Sequence, residues 1–183
     1  MKLFKKLAAA VLVAALALTM VGCGAGGTGS ALDLKNEVLN VIEDSYHTSG
    51  KTATHTTAMD AAAAKLIDDA AKAGEKEGNK GDTVKALLEK QTIEGEGGYI
   101  AIFMPYGQLS TELMQQSYIE EMKGTLDGAI RNITNDVYYA DHDMLVKIGS
   151  PVIGKDDSIE MGAATGKIQG KNYLVLLVKK AAA

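Results

Sequence analysis

A single cysteine, Cys23, occurs in the 183 residues of the chain, and it stands between a long apolar run and a glycine-rich spacer in LTMVGCGAGG, Leu18 to Gly27. Without a second thiol no intrachain disulfide can form, so whatever fold follows is held together by packing alone. Upstream, MKLFKKLAAAVLVAALALTM places Lys2, Lys5 and Lys6 ahead of an apolar stretch from Leu7 to Met20 and the small residue Gly22. That is the charged, apolar and small-residue order of a secretory signal, whereas a membrane-spanning helix needs roughly 20 consecutive apolar residues. Residues 1–22 are expected to be a removable leader. The remainder then folds outside the cytoplasm, where disulfides are available to other chains and not to this one.

Met20-Val21-Gly22-Cys23 resembles the bacterial lipobox, whose cysteine becomes the acylated first residue of the mature protein; Met20 stands where Leu, Val or Ile is usual. Other uses of a lone thiol fit less well. A metal site needs several ligands close by, and a buried free thiol needs a packed shell that Gly24-Ala25-Gly26-Gly27-Thr28-Gly29-Ser30 does not provide. The resemblance implies lipidation at Cys23, with palmitate-type acyl chains, and residues 23–30 as a flexible tether. Each buried acyl CH₂ contributes about 0.8 kcal/mol and stable anchoring takes more than one chain. The implied address is the cell membrane, facing the extracytoplasmic side of the envelope.

The chain has 19 Lys and Arg against 23 Asp and Glu, and removing the leader takes three lysines and no acid, which leaves the mature chain near −7. Such a charge argues against nucleic acid as a partner and against a basic patch gripping anionic lipid. Residues 31–183 are enough for one domain with its own core. No period of 20 to 50 residues repeats itself.

Apolar residues recur at helical spacing from Ala31 to Ser49, at Leu34, Val38, Val41, Ile42 and Tyr46, and Gly50 marks the stop. A second amphipathic helix is expected from about Thr56 to Lys72, followed by an exposed loop from Gly74 to Gly81. Asp82 and Thr83 then stand where an N-cap belongs, ahead of a short helix with Val84, Leu87 and Leu88. Tyr99 to Met104 is apolar without a helical period and reads as a buried strand. Ser110 is expected to cap the longest helix, with Glu112 in its first turn and Leu113, Met114, Tyr118, Met122, Leu126, Ala129 and Ile133 along its apolar side. Gly124 and Gly128 fall inside it, where they would bend it or admit close packing. Short strands are expected at Val137 to Tyr139, Met144 to Ile148, Ser158 to Thr165 and Tyr173 to Val178, the last two joined through Gly166 to Asn172 as an antiparallel pair. Helices and strands segregate along the chain. The expected architecture is therefore α+β, a three-layer α-β-α sandwich with a small antiparallel sheet.

No phosphate-binding glycine loop, Gly-x-Ser-x-Gly elbow or helical histidine pair occurs. His47 and His55 flank the polar stretch Thr48 to Thr54 and read as solvated loop residues, too poor in nearby acids for a zinc site. His142 stands between Asp141 and Asp143, whose charges favour imidazolium. The acid pairs Asp68-Asp69, Glu120-Glu121 and Asp156-Asp157 are sequence neighbours that cannot face one another on regular elements, and they read as solvated faces.

The order of elements and several short stretches resemble the CAP superfamily, the secreted domain of cysteine-rich secretory proteins, antigen 5 and plant pathogenesis-related proteins. Val38 to Glu43 resembles its first helix and Ala61 to Leu66 its alanine-rich second one. Gly95-Glu96-Gly97-Gly98-Tyr99-Ile100-Ala101 is similar to its Gly-Glu-Asn-Ile-Ala segment, and Ser117-Tyr118-Ile119-Glu120 to its Trp-Tyr-x-Glu motif. Ile159 to Ala164 with Tyr173 to Val178 resembles its closing strand pair. Together these span most of residues 34 to 178. The resemblance implies a cleft in which Glu96, Glu120 and His142 meet, able to hold a divalent cation in members that have a fourth ligand. Here the first histidine has no counterpart and Gly97 replaces the motif's Asn, so the implied site is degenerate.

Two functional classes follow. The first is a non-enzymatic binding module, anchored to the membrane through its lipid, that holds a small-molecule, lipid, peptide or protein component of the envelope and needs no cofactor. The second is a metal-assisted hydrolase using His142 with Glu96 or Glu120. A structural subunit of an envelope assembly is the remaining alternative.

Overall fold

The computed structural model describes residues 31–89, 98–107, 109, 111–131, 145–148 and 152–182. Four helices, α1 (Ala31–Thr48), α2 (Thr57–Glu75), α3 (Val84–Glu89) and α4 (Glu112–Arg131), accompany five strands, β1 (Ala53–His55), β2 (Tyr99–Pro105), β3 (Leu145–Ile148), β4 (Ile159–Ile168) and β5 (Lys171–Lys180). The strands form one sheet in the order β1-β4-β5-β2-β3. Its body is antiparallel, through β4 with β5, β5 with β2 and β2 with β3. The short edge strand β1 runs parallel to β4, with Ala53 opposite Ile159 and His55 opposite Met161. The expected antiparallel sheet is thus a mixed one.

The unbroken apolar runs YIAIFM and YLVLLV follow from a sheet covered on both faces, because successive side chains point to opposite sides and both sides must be apolar. Ile100, Ile102 and Met104 of β2 join Leu174, Leu176 and Val178 of β5 in a core shared with Leu34, Val38, Ile42, Tyr118, Met122 and Leu126 of α1 and α4. The alternate residues, Ala101, Phe103, Val175 and Leu177, form a second core with Met59, Ala63, Leu66 and Ile67 of α2 and with Val84 and Leu87 of α3. The molecule is α+β, with α1 and α4 on one side of the sheet and α2 and α3 on the other.

On β4 the residues toward α2 are small. A Cβ on Gly162 would collide with the Asp60 amide nitrogen and the Met59 carbonyl carbon, and one on Gly166 would come within 2.6 Å of Ile67 Cγ2. Gly162 lets the α2 backbone lie against the strand, and Gly166 makes room for the Ile67 side chain. Gly124 and Gly128 of α4 serve no such approach, since a Cβ at either would meet nothing within 4 Å.

Several boundaries differ from the sequence reading. Helix α2 runs on to Glu75, and Gly74 is buried against the Gln169 side chain. Strands β4 and β5 extend until only Gln169 and Gly170 join them, at φ of 49° and 80°. Two successive left-handed residues are what a tight hairpin requires, and Gln169 is held there by donating from Nε2 to the Asn79 carbonyl at 3.0 Å. The α4 cap is Thr111, whose Oγ1 accepts the Met114 amide at 3.2 Å; Ser110 lies outside the described residues. The strand expected at Val137 to Tyr139 also lies outside them. Leu113 and Met114, expected in the core, are 73% and 46% exposed, because the apolar side of α4 that meets the sheet begins only at Tyr118 and Ile119.

Candidate functional site

Gly50, at φ 72°, ends α1 in a left-handed residue. The Gly50 amide donates to the His47 carbonyl and the Lys51 amide to the Tyr46 carbonyl, both at 3.0 Å. This is the two-bond Schellman arrangement, which brings the second residue past the cap back over the last helical turn. Lys51 is that residue, and its Nζ sits 4.6 Å from the centroid of the Tyr46 ring. The same ammonium donates to the Lys155 carbonyl at 2.8 Å.

Lys155 is held in reach by its own loop. The Gly154 amide donates to Asp157 Oδ2 at 2.6 Å, and Asp157 Oδ1 pairs with Lys180 at 2.9 Å. The Gly154 amide, and after it Lys180, keep the Asp157 carboxyl below its ordinary value. Asp127 and Ile130 from the end of α4 close the other side. The result is a cleft of about 220 Å³ lined by Ser45, Tyr46, Ser49, Lys51, Asp127, Ile130 and Lys155. Burial, followed by the charge of Asp127, pushes the Tyr46 hydroxyl up to about 12. It remains a neutral hydrogen-bonding group across the physiological range. The carbonyl ends of α1 and α4 add partial negative charge, so the cleft offers an anionic side at Asp127 and cations at Lys51 and Lys155.

A second polar cluster ties the layers together. Strand β1 stops at His55, and Thr56 opens α2 by accepting the Met59 amide at 3.2 Å while its own amide donates to the Met161 carbonyl at 3.0 Å. Beyond that point no strand among the described residues lies beside the edge of β4. Asp60, one turn into α2, supplies the missing acceptor, with Oδ1 taking the Ala163 amide at 2.9 Å. Its Oδ2 meets Lys35 Nζ at 2.6 Å and His55 Nε2 at 3.0 Å, and Asp60 is only 7% exposed. His55 is exposed as expected, but it ends a strand rather than flanking a loop, and its imidazole is partnered by a carboxylate; His47 is also exposed as expected, in the last turn of α1. Contact between Asp60 and Ala163 spans 103 residues of chain. The one hint in the sequence is Gly162 inside the expected strand, since a glycine there marks a close approach.

Of the residues implied by the CAP resemblance, Glu120 lies exposed on α4. Glu96 and His142 lie outside the described residues, as does Cys23. Among the described residues, no group of three or more His, Cys, Asp or Glu is arranged to hold a metal ion, and no helix is long and apolar enough to cross a membrane. No family model, no curated protein and no solved structure matches the chain.

Proposed function

We propose that the chain is a lipid-anchored extracytoplasmic protein whose CAP-like domain binds a ligand without turnover, in the cleft between the ends of α1 and α4. The lipobox-like Cys23 and the glycine-rich spacer support the anchor. The order of helices and strands, with helices on both faces of the sheet, supports the CAP-like reading.

The observation that carries the binding role is the cleft's lining of both charge signs around a protonated Tyr46. Its volume, about 220 Å³, is below the ~300 Å³ at which drug-sized ligand pockets begin and suits a terminal group, such as the zwitterionic end of a peptide. An ammonium meets Asp127 and the helix-end carbonyls; a carboxylate meets Lys51 and Lys155. Titrating the full chain with triglycine is expected to shift the amide NMR signals of Ser49, Lys51 and Gly154, and Lys51→Ala and Asp127→Ala, made singly, are each expected to weaken binding about tenfold or more, the loss of one charge-assisted hydrogen bond. Acetate and ethylammonium, each carrying half of the ligand's charge, are expected to bind more weakly than triglycine. Signals at those three positions that stay fixed with triglycine would remove the cleft from consideration.

A further inference from the structure

We propose that the end of the domain from which the spacer departs rests on the bilayer, with Leu113 and Met114 inserted among the lipid headgroups; this builds on the lipid-anchor reading above. Helices α1 and α4 lie on the same face of the sheet, and the last turns of both line one cleft, so both begin toward the opposite end. One contact locates that end for α4: Tyr118 donates its hydroxyl to the Met104 carbonyl near the exit of β2 at 2.8 Å. For α1, Lys35 reaches Asp60 beside Ala163 at the middle of β4, so the turn before Lys35 lies beyond mid-sheet toward the same end. The first turn of α4 projects there with Leu113 73% and Met114 46% exposed, the former being among the most exposed large apolar side chains described.

The same end carries the β4–β5 hairpin and the loop after α2, joined through Gln169 and Asn79. Their exposed Lys76, Lys80, Lys167 and Lys171 stand with Glu75 and Glu77, while Glu112 stands beside Leu113. With Asp82 of the same loop the charges at this end are mixed rather than basic, and what the lysines offer the interface is their stems. Long lysine stems can lie along an interface while their ammonium groups stay in water.

The chain outside the described residues identifies the occupant. From Cys23 to Ser30 there are eight residues, which reach at most about 28 Å when fully extended and about 16 Å as a glycine-rich coil. An acylated Cys23 thus keeps the start of α1, and with it the end of the domain that carries the apolar pair, within a short distance of lipid. Tethering at effective concentrations on the order of millimolar lets a contact too weak to act in free solution be populated.

The test uses the full acylated chain, whose native thiol is consumed by lipid, in phosphatidylcholine vesicles with and without phosphatidylglycerol. A single fluorophore is attached through Leu113→Cys or, at the opposite end, through Lys155→Cys, and quenching by nitroxide-bearing lipid is measured. Quenching at position 113 several times that at position 155 is expected, strengthened by phosphatidylglycerol if the lysines contribute, and reduced to the level of position 155 by a Met114→Asp change on the Leu113→Cys chain. Equal quenching at the two positions, on protein that floats with the vesicles, overturns the orientation while leaving the anchor intact. Protein that fails to float and lacks acyl mass on Cys23 overturns the anchor reading, and the orientation with it.

Discussion

Asp60 is surrounded by partners that come from three other elements: Lys35 from α1, His55 from β1 and the Ala163 amide from β4. Replacing it with Asn keeps an acceptor for Ala163 and removes the charge facing Lys35, whose side chain is 16% exposed. Asp60→Asn is expected to cost about 2 kcal/mol, less than a fully buried pair because water still reaches Lys35 and His55. Asp60→Leu also strands the Ala163 amide and is expected to cost about 2 kcal/mol more. Urea denaturation midpoints check both, and identical midpoints for Asp60→Asn and wild type would show that the lysine contributes no net stability. None of this is legible locally. An Asp in the first turn of an alanine-rich helix reads as a complement to the helix dipole, and His55 reads as a loop residue because β1 is three residues long and depends on β4 for its existence. The cleft was partly legible: Gly50 announces the α1 stop, while the return of Lys51 over Tyr46 follows from the Schellman geometry and the addition of Lys155 depends on a loop 104 residues away.

At the scale of elements, the contact of α2 with β4 rests on two missing side chains. Gly162→Ala must push the α2 backbone away from the sheet, because the new methyl meets main-chain atoms of Met59 and Asp60 rather than a side chain free to rotate. The expected loss is about 3 kcal/mol, the upper part of the usual range for overpacking, with Gly128→Ala as a matched control that meets no atom within 4 Å. Thermal unfolding followed by circular dichroism separates the two, and equal melting temperatures would refute the close approach. Strands β2 and β5 were readable because both of their faces are buried, so the apolar run is continuous. The hairpin between β4 and β5 was readable as a pair but not in its register: Gln169 at φ 49° is an unusual residue for a left-handed position, and it is held there by Asn79 and Gly74, which local sequence does not reveal. The apolar spacing of α4 extends past its contact with the sheet, and periodicity alone does not say where that contact begins.

For the whole molecule, anchoring and binding make separate demands. Cys23→Ser removes the proposed acyl acceptor without touching any described residue, and the expected outcome is transfer of the protein from the membrane fraction to the soluble one with an unchanged circular dichroism spectrum. Retention of the variant in the membrane fraction would show that another part of the chain holds it there. The α+β class and the two helical layers were legible from the order of amphipathic and apolar segments. The implied cleft of Glu96, Glu120 and His142 would join positions far apart in the chain, which spacing does not encode; only Glu120, exposed on α4, falls within the described residues.

The strand order carries a consequence for biogenesis. The middle of the sheet is β5, residues 171–180, flanked by β4 and β2, so the strand that every layer packs against is synthesised after all the others. A nascent chain lacking it has a sheet divided into two unjoined parts and cannot complete either core. On the export reading proposed above, such a chain would stay open while it is threaded through a translocation channel, which passes extended polypeptide, and would close only after β5 has emerged. Non-local pairing delays folding in general, and on that reading the delay would coincide with the interval in which an exported chain must remain open.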